Sequence, residues 1–244
     1  MHRFFLRTSA GLGSIVALSE SDSHHAARVL RLEKGEAVEI LDGSGRCLGA
    51  EVVETGKRST RVTILSERSI SAPPRVELAP SLLKGKAMDL LVQKVTELGV
   101  ARLWPLATER AVVQIRKEEG PEKVEDWTRT AIEACKQCGN PWLPAIESPR
   151  SLSDFIESAE PGFLVVASLR SDAQSARQLF STLRPRLSGK VTLVLGPEGD
   201  FTSEEEESLR RAGAKPMSLG PLVLRAETAA IAGLALLQNE LAER

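Results

Sequence analysis

The 244-residue sequence contains no tyrosine, and its Trp and Phe residues bring aromatics to only 4%. That scarcity argues against reading RNA on a sheet of stacking aromatic side chains. Cysteine is also rare: Cys47, Cys135 and Cys138 cannot all pair, which points to a reduced compartment. Neither sign of charge dominates, the net charge being −1, so no global field marks nucleic acid or membrane as a partner. The longest apolar run, Ala229–Leu237, falls well short of the ~20 residues that span a bilayer. Met1–Arg7 lacks the apolar stretch and small-residue cleavage site of a signal peptide. A cytoplasmic protein without a membrane partner is the expectation. What is present is ordinary globular material, 42% hydrophobic and 27% charged, in a chain long enough for one small and one medium domain.

The first part of the chain reads as β. Arg3–Leu6 is short and apolar, Ala37–Asp42 alternates, Asp42-Gly-Ser-Gly45 is a hairpin turn, and Cys47–Glu54 and Thr60–Ser66 follow as strands. Ser23–Leu32 is helix-like. Consecutive prolines in Ser69–Arg75 mark a linker, so domains are expected over 1–70 and 75–244. Beyond it, strands alternate with helices. Val76–Leu82 is a strand, and Lys86–Leu98 is a helix with Ala87, Leu90, Leu91, Val95 and Leu98 on one face. Val100–Leu106 is a strand. Glu122–Cys138 is a helix with a stripe of Val124, Trp127, Ala131, Cys135 and Cys138. Phe163–Ala167 is a wholly apolar strand and Val191–Leu195 is apolar apart from Thr192; a helix follows each, over 173–183 and from the Thr202-Ser-Glu-Glu205 capping box. Pro216–Leu219 leads to a nearly all-apolar helix, Ala229–Leu241. Strands without a polar face imply a parallel sheet covered on both sides, in an α/β domain.

Ligands of such sheets collect beyond the carboxyl ends of the strands. Two loops leave those ends with the same Leu-Gly-Pro form, at Leu195-Gly-Pro-Glu-Gly199 and Leu219-Gly-Pro-Leu-Val-Leu224. Tight βα turns are the ordinary explanation of either loop alone; their repetition after successive strands favours a ligand site. Gly199 is followed by Asp200 and the acidic run Glu204–Glu207 rather than by Lys-Ser/Thr, so neither loop is a phosphate loop. A ligand without phosphates fits better.

Leu195–Glu205 together with Leu219–Ala229 resembles the signature of the RsmE family, small-subunit ribosomal RNA uridine-N3 methyltransferases of the SPOUT class. His24–Gly35, Lys94–Val100, Glu109-Arg110 and Glu133–Cys138 agree, so the resemblance covers nearly the whole chain. It implies an N-terminal PUA-like β-barrel, and a C-terminal SPOUT α/β domain with a mainly parallel sheet and a trefoil knot. It also implies S-adenosyl-L-methionine as cofactor, 16S rRNA of the small ribosomal subunit as partner, and a homodimer. Asp200 stands where the family usually has Gly, and Asn140 where it usually has Arg.

The expected cofactor residues are Leu195, Gly196, Glu198, Gly199, Leu219, Gly220, Leu224 and Thr228. Glu198 is equally suited to capping the following turn, and Thr228 to capping the last helix. Arg225 and Glu227 are the expected catalytic pair, with an internal salt bridge as the alternative. Arg225 would stabilise charge developing on uracil oxygens, and a carboxylate would accept the N3 proton. RNA contacts are expected from Arg3, His24, Arg28, Arg31, Lys84, Lys86, Lys94 and Arg110, although solvated surface charge is the commoner role of any one of them. His24-His25 lacks an acidic neighbourhood and Cys135-Lys-Gln-Cys138 lacks a second ligand pair, so no metal is expected and both cysteines read as core. The final helix is either enclosed or shared with a second chain. Two competing functions are the same chemistry on another RNA and a ribosome-binding factor without catalysis.

Overall fold

A computed structural model describes residues 1–113, 115–158, 162–183 and 189–242. It divides into two compact units, Met1–Ala72 with Ile132–Leu143, and Pro73–Ala131 with Pro144–Arg244.

The first unit is built on strands β1 (His2–Phe5), β2 (Ile15–Ala17), β3 (Ala37–Leu41), β4 (Arg46–Glu54) and β5 (Arg61–Ser69), in the order β1-β3-β4-β5-β2. Helix α1 (Glu20–His25) lies between β2 and β3. β1 runs parallel to β3, and every other pair is antiparallel. Alternation in β4 and β5 sends Leu48, Ala50, Val52, Val62 and Ile64 into one core with Phe4, Val38 and Ile40. The expected hairpin turn is present. Asp42 accepts hydrogen bonds from the backbone N–H groups of Ser44 (2.8 Å) and Arg46 (3.0 Å) and pairs with the Arg46 guanidinium at 2.8 Å. The buried carboxylate of Glu39 is met by Arg3 at 2.9 Å and Arg68 at 2.8 Å. Burial pushes both carboxyls up, but the donors around them outweigh it and hold each below its ordinary value.

The second unit contains β6 (Val76–Pro80), α2 (Lys86–Glu97), β7 (Arg102–Leu103), β8 (Leu106–Ala107), the part of α3 (Gly120–Cys138) that precedes Ile132, β9 (Ala145–Ile146) and β10 (Arg150–Ser151). There follow α4 (Leu152–Ser158), β11 (Phe163–Ala167), β12 (Gln174–Ser175), α5 (Ala176–Leu183), β13 (Val191–Leu195), α6 (Ser203–Arg211), β14 (Lys215–Ser218) and α7 (Ala226–Leu241). Among the described residues, seven strands pair in the order β12-β14-β11-β13-β6-β7-β9, all parallel. β6 and β13 are buried at every position, as a sheet covered on both faces requires. On one face Ala79 and Val194 pack with Leu152 and Phe155 of α4 and Leu209 of α6. Leu193 points the other way, to α7, where a Cβ on Gly233 would lie 2.4 Å from its side chain. Glycine there lets the helix sit close to the sheet. The buried carboxylate of Glu77 accepts from Trp104 Nε1 at 2.8 Å and pairs with Arg75 at 3.2 Å and Lys190 at 3.7 Å.

Several expectations are corrected. α1 begins at Glu20 because Ser19 caps it, its side chain accepting from Asp22 N, and Ala26–Leu30 form a π-helical turn. On α2 the buried face is Met88, Leu91, Val92, Val95 and Thr96, while Leu90 and Leu98 are exposed. Cys135 packs with Phe5, Leu41 and Cys47, but Cys138 is exposed, since its position falls past the turn that faces the sheet. Burial pushes the Cys135 thiol up to about 12, leaving it protonated at neutral pH. α7 begins at Ala226, not Ala229. Its N-cap is Arg225, without a side-chain cap, so Thr228 lies inside the first turn and is not the N-cap.

Candidate functional site

The carboxyl ends of β11, β13 and β14 lie side by side, because β13 enters between β11 and β6 while β14 pairs on the far side of β11. The loops that follow these three strands therefore meet at one edge of the sheet. Leu195, the last residue of β13, is held before its loop begins: its carbonyl accepts from Ser81 N (2.9 Å) and Ser81 Oγ (3.1 Å). Thr108 donates in turn to Ser81 Oγ at 3.0 Å, and all three groups are buried. The loop then folds back on itself, Asp200 N donating to Pro197 O at 2.9 Å. Arg110 donates to the carbonyls of Gly199 (3.0 Å) and Phe201 (3.2 Å), tying the far side of the turn. Thr202 and Glu205 complete the capping box that opens α6.

Between these loops lies a cavity lined by Ala167, Ser168 and Leu169 after β11, by Leu195–Glu198 and Asp200 after β13, and by Leu219, Leu222–Leu224, Ala226 and Ala229 around the β14–α7 connection. Most of this lining is apolar. Its charged groups are two carboxylates, Glu198 and Asp200; no Lys or Arg belongs to it. Gly196 sits close against its neighbours: a Cβ there would lie 3.2 Å from the Phe201 ring and 3.3 Å from Asp200 Oδ1, so those side chains would have to give by a few tenths of an ångström. A ligand here meets bare backbone on one side, aliphatic side chains on the other, and negative charge at the rim.

Of the expected cofactor residues, Leu195, Gly196, Glu198, Leu219 and Leu224 line this cavity. Gly199, Gly220 and Thr228 are placed beside it: Gly199 against Arg110, Gly220 at a φ of 120° in the β14–α7 turn, and Thr228 exposed on α7. Arg225 is exposed immediately past Leu224, and Glu227 is half-buried in the first turn of α7. Among the described residues no ion pair joins them, so the guanidinium is not consumed by an internal bridge with Glu227. The wall formed by Ala167, Ser168 and Leu169 did not stand out in the sequence; the all-apolar Phe163–Ala167 was the available signal, because the same strand-end rule applies to it.

The basic residues expected at RNA are dispersed. Arg28, Arg31 and His24 are exposed around α1 and its π-helical turn, and Arg31 has a left-handed backbone at φ 54°. Arg3 is half-buried against Glu39 and also donates to Gln137 O. Lys84 and Lys86 are exposed on either side of Gly85, the N-cap of α2. Lys94 reaches Glu97 at 2.9 Å along the same helix. Among the described residues no cluster of three or more His, Cys, Asp or Glu is arranged to hold a metal, and no helix is long and apolar enough to cross a membrane.

Comparison with known proteins places this geometry. Residues 71–238 match the model of an RNA methyltransferase domain, and residues 18–65 that of an RNA methyltransferase PUA domain. The chain is 32% identical to the ribosomal RNA small subunit methyltransferase E of Aquifex aeolicus over 98% of its own length and 100% of the relative's. Two solved structures are similar at a TM-score of 0.88. One is a methyltransferase from Legionella pneumophila in complex with the cofactor SAM, 33% identical over 97% of this chain and 96% of that one. The other is the ribosomal RNA small subunit methyltransferase E of Neisseria gonorrhoeae bound to S-adenosyl methionine, 27% identical over 98% and 97%. With a family model covering more than half of the chain and a full-length relative above 30% identity, the protein belongs to the RNA methyltransferase family, among its ribosomal RNA small subunit methyltransferase E members.

Proposed function

We propose that the cavity between the three loops holds S-adenosyl-L-methionine, and that the chain methylates N3 of a uridine in 16S rRNA of the small ribosomal subunit, in the cytoplasm. The observation that carries this reading is the lining itself: apolar walls, exposed loop backbone at Gly196, and carboxylates without a single basic group. Adenosine needs flat apolar walls and backbone hydrogen bonds, while a sulfonium is accommodated by negative charge. A nucleoside phosphate would be repelled by the same lining. Small-subunit ribosomal RNA as substrate is supported by the relatives from Aquifex aeolicus and Neisseria gonorrhoeae, and the cofactor by the two ligand-bound structures.

When bound, S-adenosylmethionine supplies a methyl group open to in-line displacement at its sulfonium. The protein's part is to place the uracil on that line and to manage its N3 proton. Arg225, exposed at the mouth, is positioned to stabilise the negative charge that spreads to the uracil oxygens as the proton leaves. Glu227, in the first turn of α7, is a proton acceptor two residues away. Gly199, Gly220 and Thr228 shape the loops around the cofactor from behind its lining. The first unit, roughly residues 1–70, is the RNA-reading module, with Arg3, His24, Arg28 and Arg31 on its surface, while residues 75–244 hold the cofactor. Lys84, Lys86 and Lys94 add phosphate contacts in the second unit, whereas Arg110 is engaged by the carbonyls of Gly199 and Phe201. The trefoil knot of the SPOUT class and a homodimer complete the assignment.

Titration calorimetry with S-adenosylmethionine, joined to mass mapping of 16S rRNA from cells lacking the gene, tests the reading. Saturable one-site binding and the loss of a single methyl from a uridine N3 are expected. An unchanged methylation map overturns the substrate, and an absence of binding overturns the cofactor.

A further inference from the structure

We infer that Asp200 makes the cofactor cavity selective for charge, so that it favours S-adenosylmethionine over the S-adenosylhomocysteine left after methyl transfer; the inference rests on the cofactor assignment above. The two ligands share every apolar and hydrogen-bonding feature except one methyl group and one positive charge. The cationic reactant carries a sulfonium beside its zwitterionic amino-acid end, and the product carries a neutral thioether. Aliphatic walls such as Leu195, Leu219 and Leu224 contact both equally. A fixed carboxylate does not.

Asp200 is placed for that role by its backbone. Apart from Arg31, it is the one described non-glycine residue with a positive φ, at 60°. In this conformation its Oδ1 accepts from Phe201 N at 2.8 Å and lies 3.3 Å from where a Gly196 Cβ would stand. The carboxylate is thereby set against the bare backbone of Gly196, on the wall of the cofactor cavity. The same side chain also lines a neighbouring cavity whose charged walls are Arg170, Asp172, Glu206, Glu207 and Arg210, so it stands in the partition between the two. No ion pair joins Asp200 to another described residue, and no Lys or Arg shares the lining of the cofactor cavity. Its charge is therefore not neutralised by a direct ion pair and faces the cofactor cavity from one side of that partition. Glu198 adds to the negative potential from the exposed side of the loop.

At an exposed wall the attraction is moderate: a unit charge ~4 Å away at the dielectric of water changes affinity about fivefold, and less as salt rises. That is enough to bias the cycle towards loading reactant and releasing product.

The test is calorimetry of both ligands against the wild type, Asp200→Asn and Asp200→Gly. Asp200→Asn is expected to weaken S-adenosylmethionine about fivefold while leaving S-adenosylhomocysteine within about twofold. Asp200→Gly, which accepts the same φ without strain, is expected to reproduce that change, and the wild-type preference is expected to shrink at high salt. Parallel weakening of both ligands, or an unaltered preference in both variants, overturns the inference. A wild type that binds neither ligand is a different result, and overturns the cofactor assignment with it.

Discussion

At the scale of single residues, the proposed chemistry comes down to what Arg225 meets. It is the N-cap of α7, extended in backbone and exposed, and it lies one position past a residue that lines the cavity. In the proposed mechanism a group so placed acts on the transition state and little on cofactor binding. Arg225→Ala is therefore expected to lower single-turnover methylation by about 10²-fold, the usual loss when one electrostatic stabiliser is removed, with affinity for S-adenosylmethionine unchanged within about twofold. Near-normal turnover would remove Arg225 from the chemistry; a matching loss of cofactor affinity would make it part of the cofactor site. Arg110 illustrates the opposite case. A basic residue in the Glu109-Arg110 pair reads naturally as a phosphate contact, yet its guanidinium is turned to the carbonyls of Gly199 and Phe201. Nothing local in the sequence marks that bond, because its partners are some ninety positions away.

At the scale of elements, the β3–β4 hairpin carries a pH-dependent contribution whose sign follows from its hydrogen bonds. Asp42 is held below its ordinary value: burial raises it, but donors from Ser44 and Arg46 prevail. A depressed carboxyl stabilises the fold fully above its unfolded value, ~3.9 for Asp, and loses that contribution as pH falls through the folded one. Glu39, depressed by Arg68 and Arg3 against its own burial, acts in the same direction on β3. Asp42→Asn is expected to cost about 1–3 kcal/mol at pH 7, a gap that closes as pH drops below about 3.9. Chemical denaturation at a series of pH values measures it, and a gap that persists undiminished to about pH 2 would falsify this account. The same hairpin was plain in the sequence, through alternating residues around Asp42-Gly-Ser-Gly45. Short elements were not: β9, β10 and β12 span two residues each and carry no periodicity of their own, and the strand expected over Val100–Leu106 is present as two short pieces, β7 and β8, on either side of Trp104-Pro105. The buried face of α2 was misassigned for a related reason. Leu90 and Leu98 satisfy a helical repeat as well as Met88 and Val92 do, and only the position of the sheet and α7 decides which side turns inward.

At the scale of the whole molecule, Leu90 and Leu98 also bear on assembly. With Leu236 they leave apolar side chains exposed on α2 and α7, two helices that pack against one another in the second unit. The homodimer proposed above would bury these side chains against a second copy. Sedimentation equilibrium is expected to give twice the chain mass, and Leu90→Glu combined with Leu236→Glu to shift it toward the monomer. A wild type that sediments as a single chain at micromolar concentration would sink the dimer. What the sequence determined by itself were features stated in contiguous residues: the strongly apolar strands Phe163–Ala167 and Val191–Leu195, the Thr202–Glu205 capping box, the two Leu-Gly-Pro loops, and the family signature they carry. These depend on local propensity and on side-chain periodicity, which a short window contains. What only the tertiary structure decided was which distant pieces share a surface. Strand order brings the end of β11 beside both glycine loops, Ser81 clamps Leu195 from the end of another strand, and Asp200 turns its carboxylate onto Gly196. Such contacts are set by how the sheet is threaded and packed, and hydrophobic patterning specifies which face of a strand is buried without specifying its neighbours.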